Sequence, residues 1–271
     1  PDEKKIALKI NNSVTDELRI FELNGTQIKK ELEKPAIPVG LIEKIVWRNN
    51  DEIGFSFESV KDAAQVRVYN IASKSQQTLI KGEGKKQLIE SLADIQQIKW
   101  KSFDGKEITG FMLEPKTKNP SAKMAVLIDI HGGPANQHQP NYNAFKTYPA
   151  GNVPIVTIFP NIRGSSGFGK EFQNLDNLEK REDAIKDVQA LLDWIEKQPQ
   201  LDAKRVIIKG VSYGSFISLA LGVREQKRGK AIIAESPIIS IKNYLAYSPK
   251  SIQSLQIPEY GTLSNENLMD Q

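Results

Sequence analysis

The sequence predicts a doubly wound, mostly parallel α/β sheet preceded by a region of antiparallel β-sheet. Three observations carry this. Alternating β-rich runs flank tight-turn dipeptides over residues 4–80. From residue 125 onward, continuous apolar runs alternate with segments of helical periodicity. A Gly-x-Ser-x-Gly run lies between one of those apolar strands and a helix. The 271 residues leave room for one large domain or two ordinary ones. An apolar content of 39% and a charged content of 26% suit a packed core with a solvated surface.

The antiparallel region is read first. Residues 16–23 alternate as Asp-Glu-Leu-Arg-Ile-Phe-Glu-Leu and run into Asn24-Gly25, a strong hairpin signal. Val66 to Ile71 repeats the pattern of Leu18 to Leu23 at an offset of 48 residues (66 minus 18). That is near the repeat of about 40–50 residues expected for propeller blades. Residues 42–80 offer four short strands and residues 4–32 about three more. Two blades cannot close a ring of about four to eight. The expectation is therefore the last blades of a β-propeller over residues 1–88, most of it lying before Pro1. A small antiparallel sheet with a coincidental repeat is the alternative.

The character changes near residue 95. Gln97 to Phe103 and Lys106 to Leu113 flank Asp104-Gly105 as a hairpin. Ala125 to Ile130, Val153 to Phe159, Val206 to Ile208 and Ala231 to Ala234 are continuous apolar runs, which suit parallel strands covered on both faces. Ala184, Val188, Leu191 and Ile195 recur at helical spacing, and Pro199 follows. Residues 89–271 are accordingly expected to form the α/β domain.

Gly210-Val211-Ser212-Tyr213-Gly214 follows the strand Arg205 to Lys209 and precedes the apolar helix Phe216 to Val223. This is the strand–turn–helix context of an α/β-hydrolase nucleophile elbow, and it makes Ser212 the candidate nucleophile. His131-Gly132-Gly133-Pro134 directly follows the strand Ala125 to Ile130. An α/β-hydrolase places an oxyanion donor there. The N–H groups of Gly133 and Tyr213 are the expected pair. The glycine-dense run Asn161 to Gly169 lacks the Gly-Lys-Ser/Thr of a phosphate-binding loop, so it is read as a structured loop at the sheet top.

These motifs resemble, in order and spacing, the prolyl oligopeptidase family of serine peptidases. They are HGGP, NIRGSSGFGK, the helix around Asp187-Val188 and Asp193-Trp194, and GVSYGS. The His in HGGP is most similar to the acylaminoacyl-peptidase-like branch. Glu235-Ser236-Pro237 and Glu259-Tyr260-Gly261 look like segments that follow the nucleophile there. The resemblance covers about residues 95–271. It implies a propeller ahead of the hydrolase domain, a peptide substrate, and access limited to short or unstructured peptides.

The triad is where the sequence departs from that pattern. The order is expected to be Ser, then an acid, then His. Both histidines, His131 and His138, precede Ser212. His131 belongs to the HGGP turn, and His138 is expected to be a solvated loop residue. The sheet is therefore expected to be incomplete, with the triad Asp and His outside the chain, and the chain alone inactive and poorly soluble. Glu235 ends a strand, but its place in Glu-Ser-Pro argues against its being the triad acid. Tyr244 and Tyr247 are read as packing residues or pocket walls. An esterase on the same fold, or a binding protein that has lost its triad, are the competing readings.

Other function classes find little support. Lys and Arg number 37 against 33 acidic residues, spread along the chain, so no nucleic-acid partner is expected. No run approaches the roughly 18 apolar residues of a membrane helix. There is no cysteine, which excludes disulfides and a thiol nucleophile and leaves the redox compartment open. No metal-ligand spacing occurs, so neither metal nor cofactor is expected.

Overall fold

The computed structural model describes residues 2–13, 15–84, 90, 95–116, 123–142 and 154–269. The chain divides into two compact units, Pro1–Ile95 with Gln139–Asn152, and Gln96–His138 with Val153–Gln271.

The first unit holds two antiparallel sheets. One runs in the order β1 (Lys5–Asn11), β2 (Asp16–Asn24), β3 (Gln27–Leu32). The other runs β4 (Leu41–Trp47), β5 (Glu52–Glu58), β6 (Gln65–Asn70), β7 (Ser75–Lys81). The 48-residue repeat is structural. Moved by 48, β1 falls at 53–59, β2 at 64–72 and β3 at 75–80, on top of β5, β6 and β7. The three-stranded sheet thus repeats the last three strands of the four-stranded one.

Strand alternation explains which side chains meet. Along β5 every second residue is buried, so Ile53, Phe55 and Phe57 share one face. They pack with Leu18, Ile20, Ile42 and Tyr69 into the core of this unit. The last strand of each sheet is exposed along nearly its whole length. Lys29, Lys30 and Lys81 lie on these outer strands, where charge opposes edge-to-edge pairing.

The second unit is a six-stranded sheet in the order β13-β12-β10-β11-β9-β8. Its strands are β8 (Gln96–Lys101), β9 (Glu107–Leu113), β10 (Met124–Ile130), β11 (Ile155–Asn161), β12 (Leu201–Val211) and β13 (Gly229–Glu235). Strands β10 to β13 pair parallel, and the β8–β9 hairpin joins β11 antiparallel. The helices are α1 (Lys170–Gln173), α2 (Arg181–Glu196), α3 (Tyr213–Arg224), α4 (Ile241–Tyr247), α5 (Lys250–Tyr260) and α6 (Glu266–Met269). Helix α2 buries Ala184, Ile185, Val188, Leu191, Leu192 and Ile195 on one face, as its 3.6-residue period requires.

The continuous apolar run holds for the central strands. β11 is buried at every position and β10 at all but one. β13 differs. It is an edge strand among the described residues, and Ile233 is 43% exposed. Its run of apolar residues is covered on one side by α3 but is not flanked by a second strand.

The topology has one consequence for the site. After β10 the chain adds β11 on one side, then returns to add β12 on the other. The carboxyl end of β10 is therefore a topological switch point, where open α/β sheets form their ligand crevices.

Core and surface positions on the first unit's strands separate cleanly. Ile20→Ala, at a fully buried site, is expected to cost about 2–5 kcal/mol. Val46→Ala, at a site 62% exposed on a neighbouring strand, is expected to stay within about 0.5 kcal/mol. Urea unfolding of both variants, followed by a probe specific to this unit, checks the contrast.

Candidate active site

Four loops leave the carboxyl ends of the parallel strands, and three carry the motifs found in the sequence. His131-Gly132-Gly133 follows β10, Ile162 to Gly169 follows β11, and Ser212 follows β12. Ile130 is in register with Gly210, and Val211 with Glu235, so the strand ends are level.

Ser212 sits between β12 and α3 at φ 53°, ψ −115°. A serine in such backbone geometry costs on the order of 1–3 kcal/mol and persists only where its surroundings hold it. They do. Its N–H donates to Glu235 O at 2.9 Å, which ties the turn to the end of β13. The flanking glycines leave no space for relaxation. A Cβ on Gly210 would lie 1.9 Å from Gly214 O, and one on Gly214 would lie 2.3 Å from Ile130 O. A Cβ on Gly132 would meet Val211 O at 3.0 Å and Ser212 Cβ at 3.2 Å, so the HGGP turn packs directly on the serine.

Ser212 holds the N-cap position of α3, yet its side chain makes no capping bond. Its hydroxyl has no hydrogen-bond partner among the described residues. The N–H groups of Gly133 and Tyr213 are likewise without an acceptor among the described residues. For Tyr213 this follows from its place as the first residue of α3, where helix N–H groups have no intrahelical partner. Gly133 is exposed at φ 134°, a conformation open to glycine. A half-exposed hydroxyl at a helix N-terminus, with the unclaimed N–H of the next residue and that of Gly133 in the turn packed against it, has the parts to attack a carbonyl and hold an oxyanion.

Neither histidine is hydrogen-bonded to Ser212. His131 is buried, with Nδ1 2.8 Å from Gly132 O and Nε2 2.9 Å from Ser165 Oγ. His138 departs from expectation. It is buried rather than solvated, because Nε2 donates to Asp129 O at 2.8 Å and the ring packs against Phe159. Its backbone N–H and C=O are both bonded to the Asn161 side chain.

Glu235 ends β13 with an exposed side chain paired to Lys209 at 3.2 Å. Tyr244 packs edge-on against Tyr260, whereas Tyr247 is 88% exposed and packs on little. Pro237, Ile238, Asn243, Tyr244 and Tyr247 line an open cavity of about 520 Å³ beside the elbow's helix layer.

Two groups of buried charges escaped sequence reading. Arg163, in the glycine-dense loop, forms a fork with Asp187 of α2: Nε meets Oδ2 at 2.9 Å and Nη2 meets Oδ1 at 2.7 Å. Asp187 Oδ1 also accepts from Ser102 Oγ, and Arg163 reaches Asp104 in the β8–β9 turn. Two segments, α2 and the β8–β9 turn, are thereby bolted to one loop at the sheet top. The available signal was a carboxylate on the apolar face of a helix, next to Val188.

The second group lies under the elbow. Asp176, fully buried, accepts from the Tyr213 hydroxyl at 2.9 Å. Burial pushes its carboxyl up to about 7. Burial, and then the charge of Asp176, push the Glu259 carboxyl up to about 8. Arg181 lowers both, from a position over the Tyr260 ring.

Comparison with known proteins agrees with this geometry. Residues 140–270, just under half of the chain, match the profile of the prolyl oligopeptidase family. The chain is 28% identical over 200 residues to the uncharacterized peptidase YuxL of Bacillus subtilis, covering 73% of this chain and 30% of that protein. It is 27% identical over 146 residues to the human acylamino-acid-releasing enzyme, covering 53% of this chain and 19% of that protein. The chain thus spans less than a third of the length of either relative. Among solved structures, the acylaminoacyl peptidase of Pyrococcus horikoshii superposes with a TM-score of 0.79 at 18% identity, over 99% of this chain and 42% of its own. Prolyl oligopeptidase B of Galerina marginata, bound to a 35mer substrate, superposes at 0.83 and 18% identity, over 99% of this chain and 38% of its own. At that identity the structural likeness speaks for fold.

Two outcomes follow from the buried charges. Asp187→Ala removes the forked partner of the buried Arg163 guanidinium, leaving it the longer contacts to Asp104, and is expected to cost about 3 kcal/mol in urea unfolding. Adding Arg163→Met should recover part of that loss. The Asp176 and Glu259 carboxyls hold protons to higher pH folded than unfolded. Their contribution is therefore complete below roughly pH 4 and is lost as pH rises through about 7 to 8. Unfolding midpoints should fall across that window, and Glu259→Gln should flatten the fall.

Proposed function

We propose that this chain carries the nucleophile region of a serine peptidase, with Ser212 forming an acyl-enzyme on the substrate carbonyl carbon. The observation that carries the reading is the Ser212 turn itself. A serine is held in strained backbone, its hydroxyl unused, where glycines permit no side chain around it. Strain at a residue fixed by its surroundings is a mark of function rather than packing.

In this reading the Ser212 Oγ attacks the peptide carbonyl carbon and gives its proton to a base, the N–H groups of Gly133 and Tyr213 hold the oxyanion, and the C–N bond then breaks as that proton passes to the leaving amine. The hydroxyl is a weak nucleophile without a base. Both histidines of the chain are engaged elsewhere, His131 with Gly132 and Ser165, and His138 with Asp129. The reading therefore assigns the base and its orienting acid to a His and an Asp outside residues 1–271. The family match and the peptide-bound relative support a peptide substrate.

The reading takes residues 1–88 as the closing blades of a β-propeller and residues 89–271 as the hydrolase domain. The strand-by-strand 48-residue repeat supports the blades. A propeller domain in the same protein would fit a preference for short peptides over folded proteins.

The test is turnover by the full-length protein of a short blocked peptide amide, beside a simple ester. The account predicts cleavage of the amide, with Ser212→Ala reducing kcat by about 10⁶-fold, as loss of a triad serine does. Hydrolysis of the ester alone would assign an esterase instead. Full activity in Ser212→Ala would overturn the reading.

A further inference from the structure

The acid pair under the elbow has no part in the reaction described above, and its geometry points at one atom of it. Asp176 Oδ2 accepts the Tyr213 hydroxyl, and the Tyr213 ring is 1% exposed between Phe216 and Tyr260. Tyr213 directly follows Ser212, so whatever fixes its ring also fixes the peptide that aims its N–H. The Asp176 carboxyl is itself seated tightly. A Cβ on Gly164 would fall 2.2 Å from Asp176 Oδ2, and Gly164 sits at φ 94°. The glycine-dense loop, which holds no phosphate motif, makes room for this carboxyl.

The cluster is incomplete in one respect. Asp176 Oδ1 and Glu259 Oε1 are both buried without a hydrogen-bond partner. Two buried carboxyl oxygens without donors are costly, and one proton held on the pair lowers that cost. The charge count agrees. Among the described residues Arg181 from α2 is the cation facing the pair, its Nη2 donating to Glu259 O. With one shared proton, two carboxyls and one guanidinium sum to zero. The other titratable groups around the cluster are Tyr213 from α3, Tyr260 from α5 with Tyr244 of α4 behind it, and Asp187 of α2. None of these adds a positive charge.

We propose that Asp176 is a positioning residue for the oxyanion N–H of Tyr213, and that it acts as half of a proton-sharing pair with Glu259. The inference rests on the serine-peptidase reading of the elbow. Loss of the shared proton places two anions against one buried guanidinium. The pair then separates, the tether to the phenol loosens, and the N–H of Tyr213 loses its aim.

The experiment is a pH–rate profile of the full-length protein on a blocked peptide amide, with Asp176→Asn, Glu259→Gln and Asp176→Leu. Asn keeps an oxygen for the Tyr213 hydroxyl and cannot ionise. It should retain kcat within about threefold and lose the fall in kcat that the wild type shows on the alkaline side. Glu259→Gln should also lose that fall. Asp176→Leu removes the acceptor and should lower kcat roughly tenfold at every pH with KM little changed, less than the 10²–10³ of losing an oxyanion donor outright. An independent readout is the infrared carbonyl band of a protonated carboxyl. Near neutral pH, where exposed carboxyls are ionised, it should be present in the wild type, disappear as pH rises further, and be missing from Asp176→Asn, in which Glu259 faces Arg181 alone. Wild-type kcat in Asp176→Leu, or an unchanged alkaline fall in Asp176→Asn, would overturn the proposal. If Ser212→Ala keeps full activity, the peptidase reading fails. The infrared band still decides the shared proton in that case, because it needs no turnover.

Discussion

The structure around Ser212 depends on one constraint, the closeness with which α3 approaches the ends of β10 and β12. Gly214 of the helix lies against the carbonyls of Ile130 and His131, and Gly210 lies against Gly214. Any side chain at these points would push the helix off the sheet and relax the turn. Because none is present, Ser212 is held at positive φ with its hydroxyl out of the capping role. The same contact brings the HGGP turn against the serine. The serine hydroxyl and the turn packed against it are thus set by backbone packing and need no flexible side chain to meet.

That packing needs support from beneath and beside, and buried charge supplies it. The Arg163–Asp187 fork joins the loop after β11 to α2 and to the β8–β9 hairpin. Ion pairs this buried gain little net stability over apolar packing, but their directional bonds fix where each segment sits. Asp176 plays a similar part for Tyr213. Both carboxylates face residues of the same glycine-dense loop, Arg163 and Gly164. That loop therefore serves as a keystone between the helix layer and the elbow.

Much of the fold was legible in the sequence because its signals are local. Asn24-Gly25 and Asp104-Gly105 mark hairpins that exist, and the 48-residue offset between Leu18 and Val66 maps β1–β3 onto β5–β7. The apolar runs became β10, β11 and β12, and the Gly-x-Ser-x-Gly run lies at the strand–helix turn. What escaped depends on partners distant in sequence. His138 sits in a polar stretch, yet it is buried because Asn161 and Asp129, 23 and 9 residues away, complete its hydrogen bonds. Asp176 and Glu259 meet Tyr213 and Arg181 only through the fold. No periodicity encodes such a cluster. An acidic residue in a loop reads as solvated until the loop is known to be covered.

The central claim is that Ser212 is a nucleophile, and covalent capture tests it most directly. The full-length protein would be treated with a fluorophosphonate, which reacts only with an activated serine, and digested for peptide mass mapping. The account predicts one adduct, on the peptide containing Ser212, blocked by prior incubation with a peptide substrate and absent from Ser212→Ala. No adduct in folded protein, or an adduct on another residue, would contradict it.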